Sequence, residues 1–129
     1  MRPRGKYVAT ILVLLALGLA ACSDDASRDT AEIEVINIAF EPATLRISAG
    51  AEVTWTNLDQ GVRHTATSGV PGDGGVPGLS EERAAQPDGT FDGDLPHASS
   101  SFSFAFDEAG SYAYFCRVHP SMTGEIVVE

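Results

Sequence analysis

The sequence predicts an all-β fold, an antiparallel sandwich or barrel in a single domain, and three observations carry that expectation. Short segments alternate apolar and polar residues with a period of two, and Gly, Pro and Asp turns separate them, which is the pattern of half-buried strands. Beyond residue 21 the only leucines are Leu45, Leu58, Leu79 and Leu95, whereas Val, Ile, Thr, Phe and Tyr are frequent, a balance that favours strand over helix. No amphipathic helical stretch of useful length interrupts the pattern, although Ser80 to Gln86 has room for a short helical turn.

The first element is a leader. Arg2, Arg4 and Lys6 form a basic start, and Val8 to Ala21 is almost wholly apolar but shorter than the roughly 20 residues a spanning helix needs. Residues 1–21 therefore read as a secretion signal. Its end, Leu19-Ala20-Ala21-Cys22, resembles a bacterial lipobox, which implies that Cys22 is lipidated and becomes the first residue of the processed chain. Export follows from the leader either way. Its removal takes three of the eight basic residues and none of the eighteen acidic ones, so the formal charge of −10 becomes −13. Such a chain has no Lys/Arg patch with which to hold a phosphate backbone, and nucleic acid is excluded as a partner.

Residues 22–31 are polar and acidic without periodicity, and read as a flexible tether ahead of a domain at 32–129. Ile33 and Val35 share one phase, and Ile36, Ile38 and Phe40 the other. Such a slip indicates a β-bulge or a strand that switches sheets. Leu45 and Ile47 alternate with polar neighbours before a Ser48–Ala51 turn, and Val53, Trp55 and Asn57 alternate with Glu52, Thr54 and Thr56. Residues 68–98 hold seven of the thirteen glycines, four of the seven prolines and several acidic residues, and read as a long loop, either mobile and solvated or a partner-docking or lid element beside a site. Phe102, Phe104 and Phe106 make the cleanest period-two run. Tyr112, Tyr114 and Cys116 follow on the next strand, and Ile126 and Val128 on the last.

Chemistry concentrates between those final strands, in Cys116-Arg117-Val118-His119-Pro120-Ser121-Met122, a C-x2-H-x2-M skeleton. Thiolate, imidazole and thioether are soft or borderline donors, a set that selects copper over magnesium or calcium. A fourth donor must come from elsewhere. His64 follows the Val53–Asn57 strand 52 residues before Cys116, whereas His97 has no ligand type beside it and is expected at the surface. Two histidines and a cysteine in a plane with a weak axial methionine form the blue-copper arrangement.

These residues resemble a small cupredoxin of the plastocyanin, pseudoazurin and amicyanin group. Val53-Thr54-Trp55-Thr56-Asn57 with His64-Thr65-Ala66, then Phe91 to Leu95, Phe102 to Phe106 and Tyr112 to Val128 carry the likeness, which spans roughly 32–129. The interval between His119 and Met122 is that of amicyanins, plastocyanins having a longer one. Arg117 and Val118, however, fill the Cys-to-His interval without the proline often found there, and the stretch from His64 to Phe91 is longer than in compact members. The resemblance implies a Greek-key sandwich and one type 1 copper, with His64, Cys116 and His119 as equatorial ligands and Met122 as the axial one. Thr65 is a candidate to support the ligands from behind.

The function so implied is one-electron transfer between extracytoplasmic partners, by a monomer held to the membrane through lipid on Cys22, in the periplasm or at the cell surface. The −13 charge would steer it toward a redox protein with a basic docking face, a cytochrome or a membrane oxidoreductase. Two other readings stand beside it. A copper carrier or delivery lipoprotein tends to have many Met and His, against one Met and three His beyond this leader. An immunoglobulin-like structural lipoprotein would explain the Cys22, Trp55, Cys116 order but leaves His119 and Met122 unused. An enzyme is not expected, because Phe115 and Arg117, not histidines, flank Cys116 and no second cysteine lies near it.

Overall fold

Strand β1 (Thr30–Ile36) starts where the alternation starts, with Ile33 and Val35 completely buried. The computed structural model describes residues 27–72 and 85–129. The leader at 1–21, Cys22, the first part of the tether and residues 73–84 lie outside them. Order begins earlier than the expected boundary at 32: the Glu52 amide donates to the Asp29 carbonyl, and Thr30 and Ala31 already pair with β4.

The slip between Val35 and Ile36 is neither a bulge nor a change of sheet. β1 and β2 (Ala39–Glu41) form a tight hairpin in which Ile36 faces Ala39, with Asn37 and Ile38 as its two loop residues at φ of 54° and 58°. Two consecutive positive φ values are what a type I′ turn requires, and they shift the side-chain phase because the chain reverses. At Ile38 the conformation is strained, since a β-branched side chain rarely occupies the left-handed region.

β3 (Thr44–Ile47), β4 (Ala51–Asn57) and β5 (His64–Val70) follow. Within the span 68–98, expected as a loop, the described residues include two stretches of strand. Residues 68–70 complete β5, and β6 (Gln86–Leu95) is a ten-residue strand antiparallel to it. Its inward positions, Phe91, Gly93 and Leu95, keep strict alternation against Asp92 and Asp94, but Gly and Asp conceal a strand because they disfavour it intrinsically. Gly93 is obligatory there, for a Cβ would fall about 2.1 Å from the Phe102 ring. Gln86, the end of the possible helical turn, opens this strand.

With β7 (Ser101–Phe106), β8 (Gly110–Phe115) and β9 (Thr123–Val128) the chain closes two facing sheets, ordered β2-β1-β4-β7 and β3-β9-β8-β5-β6. The all-β sandwich is as expected. Two pairings are parallel, however: β1 with β4 and β3 with β9. Both arise where consecutive strands lie in different sheets, so the neighbour in a sheet is not the neighbour in sequence.

Trp55 is the centre of the core. Its ring lies 5.3 Å from Phe91, 5.5 Å from Tyr114 and 5.7 Å from Phe102, so it touches strands of both sheets. Such aromatic pairs add to what burial alone provides. The Trp55 Nε1–H and the Tyr114 hydroxyl are buried with no hydrogen-bond partner among the described residues, a cost that packing has to offset. Burial also pushes the Tyr114 phenol above its ordinary pKa. Replacement of Trp55 by Ala is expected to lower stability by about 3–5 kcal/mol in chemical denaturation. Trp55→Phe, which keeps a ring and removes an unpartnered donor, should cost distinctly less.

Candidate metal centre

His64, the first residue of β5, is completely buried at the end of the sandwich where β4 passes to the other sheet. The passage is fixed by Asn57, the last residue of β4 and also fully buried. Its Nδ2 donates to the Val62 carbonyl at 2.9 Å and the Leu95 carbonyl at 3.1 Å, and its Oδ1 accepts from the Asp59 amide at 2.9 Å. Its backbone amide donates to Ser100 O, and its carbonyl accepts from Ser99 N. The residue is thus saturated, as a buried amide must be.

Cys116 stands just past β8, its free thiol buried. β5 and β8 pair only as far as Thr67 opposite Phe115. In the same register Thr65 would oppose Arg117, but side-chain groups take over from the ladder. The Thr65 amide donates to Cys116 Sγ at 3.3 Å, and the Arg117 amide donates to Thr65 Oγ1 at 2.9 Å. Thr67 Oγ1 donates to Asp92 at 2.8 Å, so the Thr65 hydroxyl supplies the hydrogen of the 3.1 Å Thr65–Thr67 bond. Arg117 closes this chain, with Nε on Thr67 Oγ1 and Nη2 3.1 Å from Asp92.

The segment between β8 and β9 turns back on itself. Met122 N–H donates to His119 O at 2.9 Å, and Cys116 N–H donates to Met122 O at 3.1 Å. Those bonds bring the two ends of the C-x2-H-x2-M motif together and bury Met122 in the same core cluster as Cys116. Gly124 is required beside it, since a Cβ there would fall 2.3 Å from the Tyr114 ring.

The result is a convergence of donors. One ligand atom each from His64, Cys116 and His119 lie within 4.8 Å of one another, with Cys116 Sγ 3.9 Å from His64 Nδ1 and 3.7 Å from His119 Nδ1. Metal–nitrogen and metal–sulfur bonds of about 2.1 and 2.3 Å meeting near 120° would separate their donors by roughly 3.8 Å. Both sulfur–nitrogen spacings therefore suit one ion shared by the three residues, and the donors are those that suit copper. His119 is partly exposed, whereas His64, Cys116 and Met122 are buried. His97 is exposed, its Nδ1 beside its neighbour's carbonyl.

Two residues of the neighbourhood escaped the reading of the sequence. Asn57 could have been noticed as a polar residue in the buried phase of Val53 and Trp55. Asp59, whose Oδ2 lies 2.9 Å from His64 Nε2, had no such signal. Hydrogen bonds from the Ile38 and Asn37 amides hold its carboxyl below the ordinary carboxylate pKa, the Ile38 bond being the larger cause, and the bond from His64 adds to them.

A family model described as a cupredoxin-like domain matches residues 9–128. Amicyanin-alpha of Methylorubrum extorquens is 29% identical over 118 residues, which span 89% of this chain and 85% of that protein. Plastocyanin of Scenedesmus fuscus is 34% identical over 97 residues, spanning 71% of this chain and 88% of its own. Among solved structures, a purple cupredoxin from Nitrosopumilus maritimus matches with a TM-score of 0.59 at 28% identity, covering 77% of this chain and 99% of that one.

Thr65→Ala separates the two roles of its residue. It keeps the backbone donor to the sulfur but strands the Arg117 amide, so stability should fall by about 1–3 kcal/mol in urea denaturation while the sulfur environment changes little.

Proposed function

The chain belongs to the cupredoxin-like family, and from that membership we propose that it is a one-electron carrier holding a single type 1 copper. The observation that carries the reading is the approach of His64 Nδ1 and His119 Nδ1 to within 3.9 and 3.7 Å of Cys116 Sγ, with Met122 buried alongside. Copper bound there would supply the one-electron step by cycling between Cu(I) and Cu(II). Everything else is done by the chain. Cys116, as thiolate, and the imidazoles of His64 and His119 would hold the ion, Met122 would add a weak thioether donor, and the Thr65 amide would temper the charge on the sulfur. Because the loop bonds to itself and both strands sit in a packed sandwich, the donors keep one arrangement in either oxidation state.

His119 serves as the electron exit. It is the one donor of the cluster that reaches the surface, and exposed Val118 lies beside it. Ile38 and Leu58, also exposed, flank Asp59 and so extend apolar surface toward the His64 side. A redox partner would dock there, its basic face drawn by the acidic charge of this chain. In this reading the leader exports the protein and Cys22 carries the lipid that keeps it, as a monomer, on the extracytoplasmic side of a membrane.

Loading the full chain with copper(II) should produce an intense thiolate-to-copper visible band and a matching paramagnetic resonance signal. Absence of the band would overturn the assignment. Cys116→Ser should abolish it, and Met122→Leu should retain it with the reduction potential moved upward. Electron-transfer rates to a basic partner should fall steeply as salt rises through about 0.1 M, where the screening length is near 10 Å. Rates indifferent to salt would remove steering from the account.

A further inference from the structure

We propose that Asp59 is a positioning residue for the metal centre: its carboxylate fixes the ring and tautomer of His64 and, by its charge, favours the more positive oxidation state of the bound ion. The inference rests on the copper reading above and adds to it a group that no ligand motif contains.

The geometry is specific. Asp59 Oδ2 accepts from His64 Nε2 at 2.9 Å and from the Ile38 amide at 3.0 Å, and Oδ1 accepts from the Asn37 amide at 2.7 Å. Its own amide donates to Asn57 Oδ1. Every direction in which the carboxylate could swing is therefore tied, and its side chain is only 13% exposed. The His64 ring is entirely buried. An ionised carboxylate offers no hydrogen, so the proton of this bond sits on His64 Nε2. That leaves the Nδ1 lone pair directed at the cluster with Cys116 and His119.

The strained turn is explained by the same contact. Asn37 and Ile38 lie in the left-handed region, which costs free energy, most of all at a β-branched residue. In that conformation both amides converge on the Asp59 oxygens. The hairpin of one sheet thus holds the carboxylate that orients the ligand opening a strand of the other. A carboxylate on the far nitrogen of a ligating histidine raises its basicity and restricts its rotation. The added negative charge stabilises Cu(II) more than Cu(I), because the oxidised ion carries one more positive charge.

The test compares the full chain with Asp59→Asn and Asp94→Asn. Asp94 is the control, an acidic side chain on β6 paired with Arg63 at the surface and touching none of the donors. Copper(II) and copper(I) affinities are measured by competition with chelators, and the reduction potential by spectroelectrochemical titration. For Asp59→Asn, copper(II) should bind about 10–100-fold more weakly, with a smaller loss for copper(I). Each tenfold excess of the first loss over the second raises the potential by about 59 mV. Asp94→Asn should leave both affinities and the potential near their starting values. An unmoved potential in Asp59→Asn, or equal shifts in the two variants, overturns the proposal while the thiolate band leaves the copper reading standing. A full chain without that band overturns both. Should Asp59→Asn fail to fold, the unaltered protein still decides. In the nitrogen-15-labelled copper(I) form, the His64 Nε2–H should resonate downfield and exchange with water far more slowly than an imidazole N–H of exposed His97. Exchange at the His97 rate overturns the proposal.

Discussion

The buried amide of Asn57 is the constraint from which the rest of the site follows. At this residue β4 leaves one sheet, and seven residues later β5 opens the other with His64. A chain crossing between layers exposes backbone polar groups that neither ladder can pair, and burial would make each of them costly. Asn57 answers several at once, binding the Val62 and Leu95 carbonyls and the Asp59 amide through its side chain while its backbone pairs with Ser99 and Ser100. The same set of bonds ties the end of β6 and the residues just before β7 to the crossing. Through the Asp59 amide it also helps to place the residue whose carboxylate meets the imidazole of His64.

The opposite wall of the site is organised in a similar way. Where the β5–β8 ladder stops, backbone donors turn to side-chain acceptors: Thr65 N–H to the Cys116 sulfur, Arg117 N–H to the Thr65 hydroxyl. The hydroxyl chain through Thr67 to Asp92 then runs in one direction and is closed by Arg117. Networks of this kind hold when complete and weaken badly when one member is lost. Exposed ion pairs on the same face, such as Arg63 with Asp94, contribute little to stability. The site is therefore set by buried hydrogen bonds and packing, which hold its donors in one arrangement.

Legibility in the sequence followed the strength of local signals. Val53, Trp55 and Asn57, the Phe102–Phe106 run and Ile126 with Val128 declared their strands because one face of each is apolar. The C-x2-H-x2-M cluster declared donors because it packs three soft ligands into seven residues. β6 stayed hidden, since glycine on its inner face and aspartate on its outer face are both weak strand formers, and tertiary packing against Phe102 overrides them. The phase slip at Val35–Ile36 does not declare the Asn37–Ile38 turn, because isoleucine at a positive φ contradicts local preference and is sustained by a contact 21 residues away. The position of Thr65 beside His64 marks it as a support, but only the fold divides its roles, hydroxyl to the Arg117 amide and backbone amide to the sulfur.

By itself, then, the sequence determined the sandwich class and the donor types, because alternation and ligand chemistry are properties of neighbouring residues. Only the tertiary structure decided that β1 pairs parallel with β4, that Asn57 carries the crossing, and that Asp59 stands behind His64. Each of those is a meeting of groups distant in the chain or free to point several ways. No local pattern encodes such a meeting. It is chosen by the need to pair every polar group that burial of the aromatic core takes out of water.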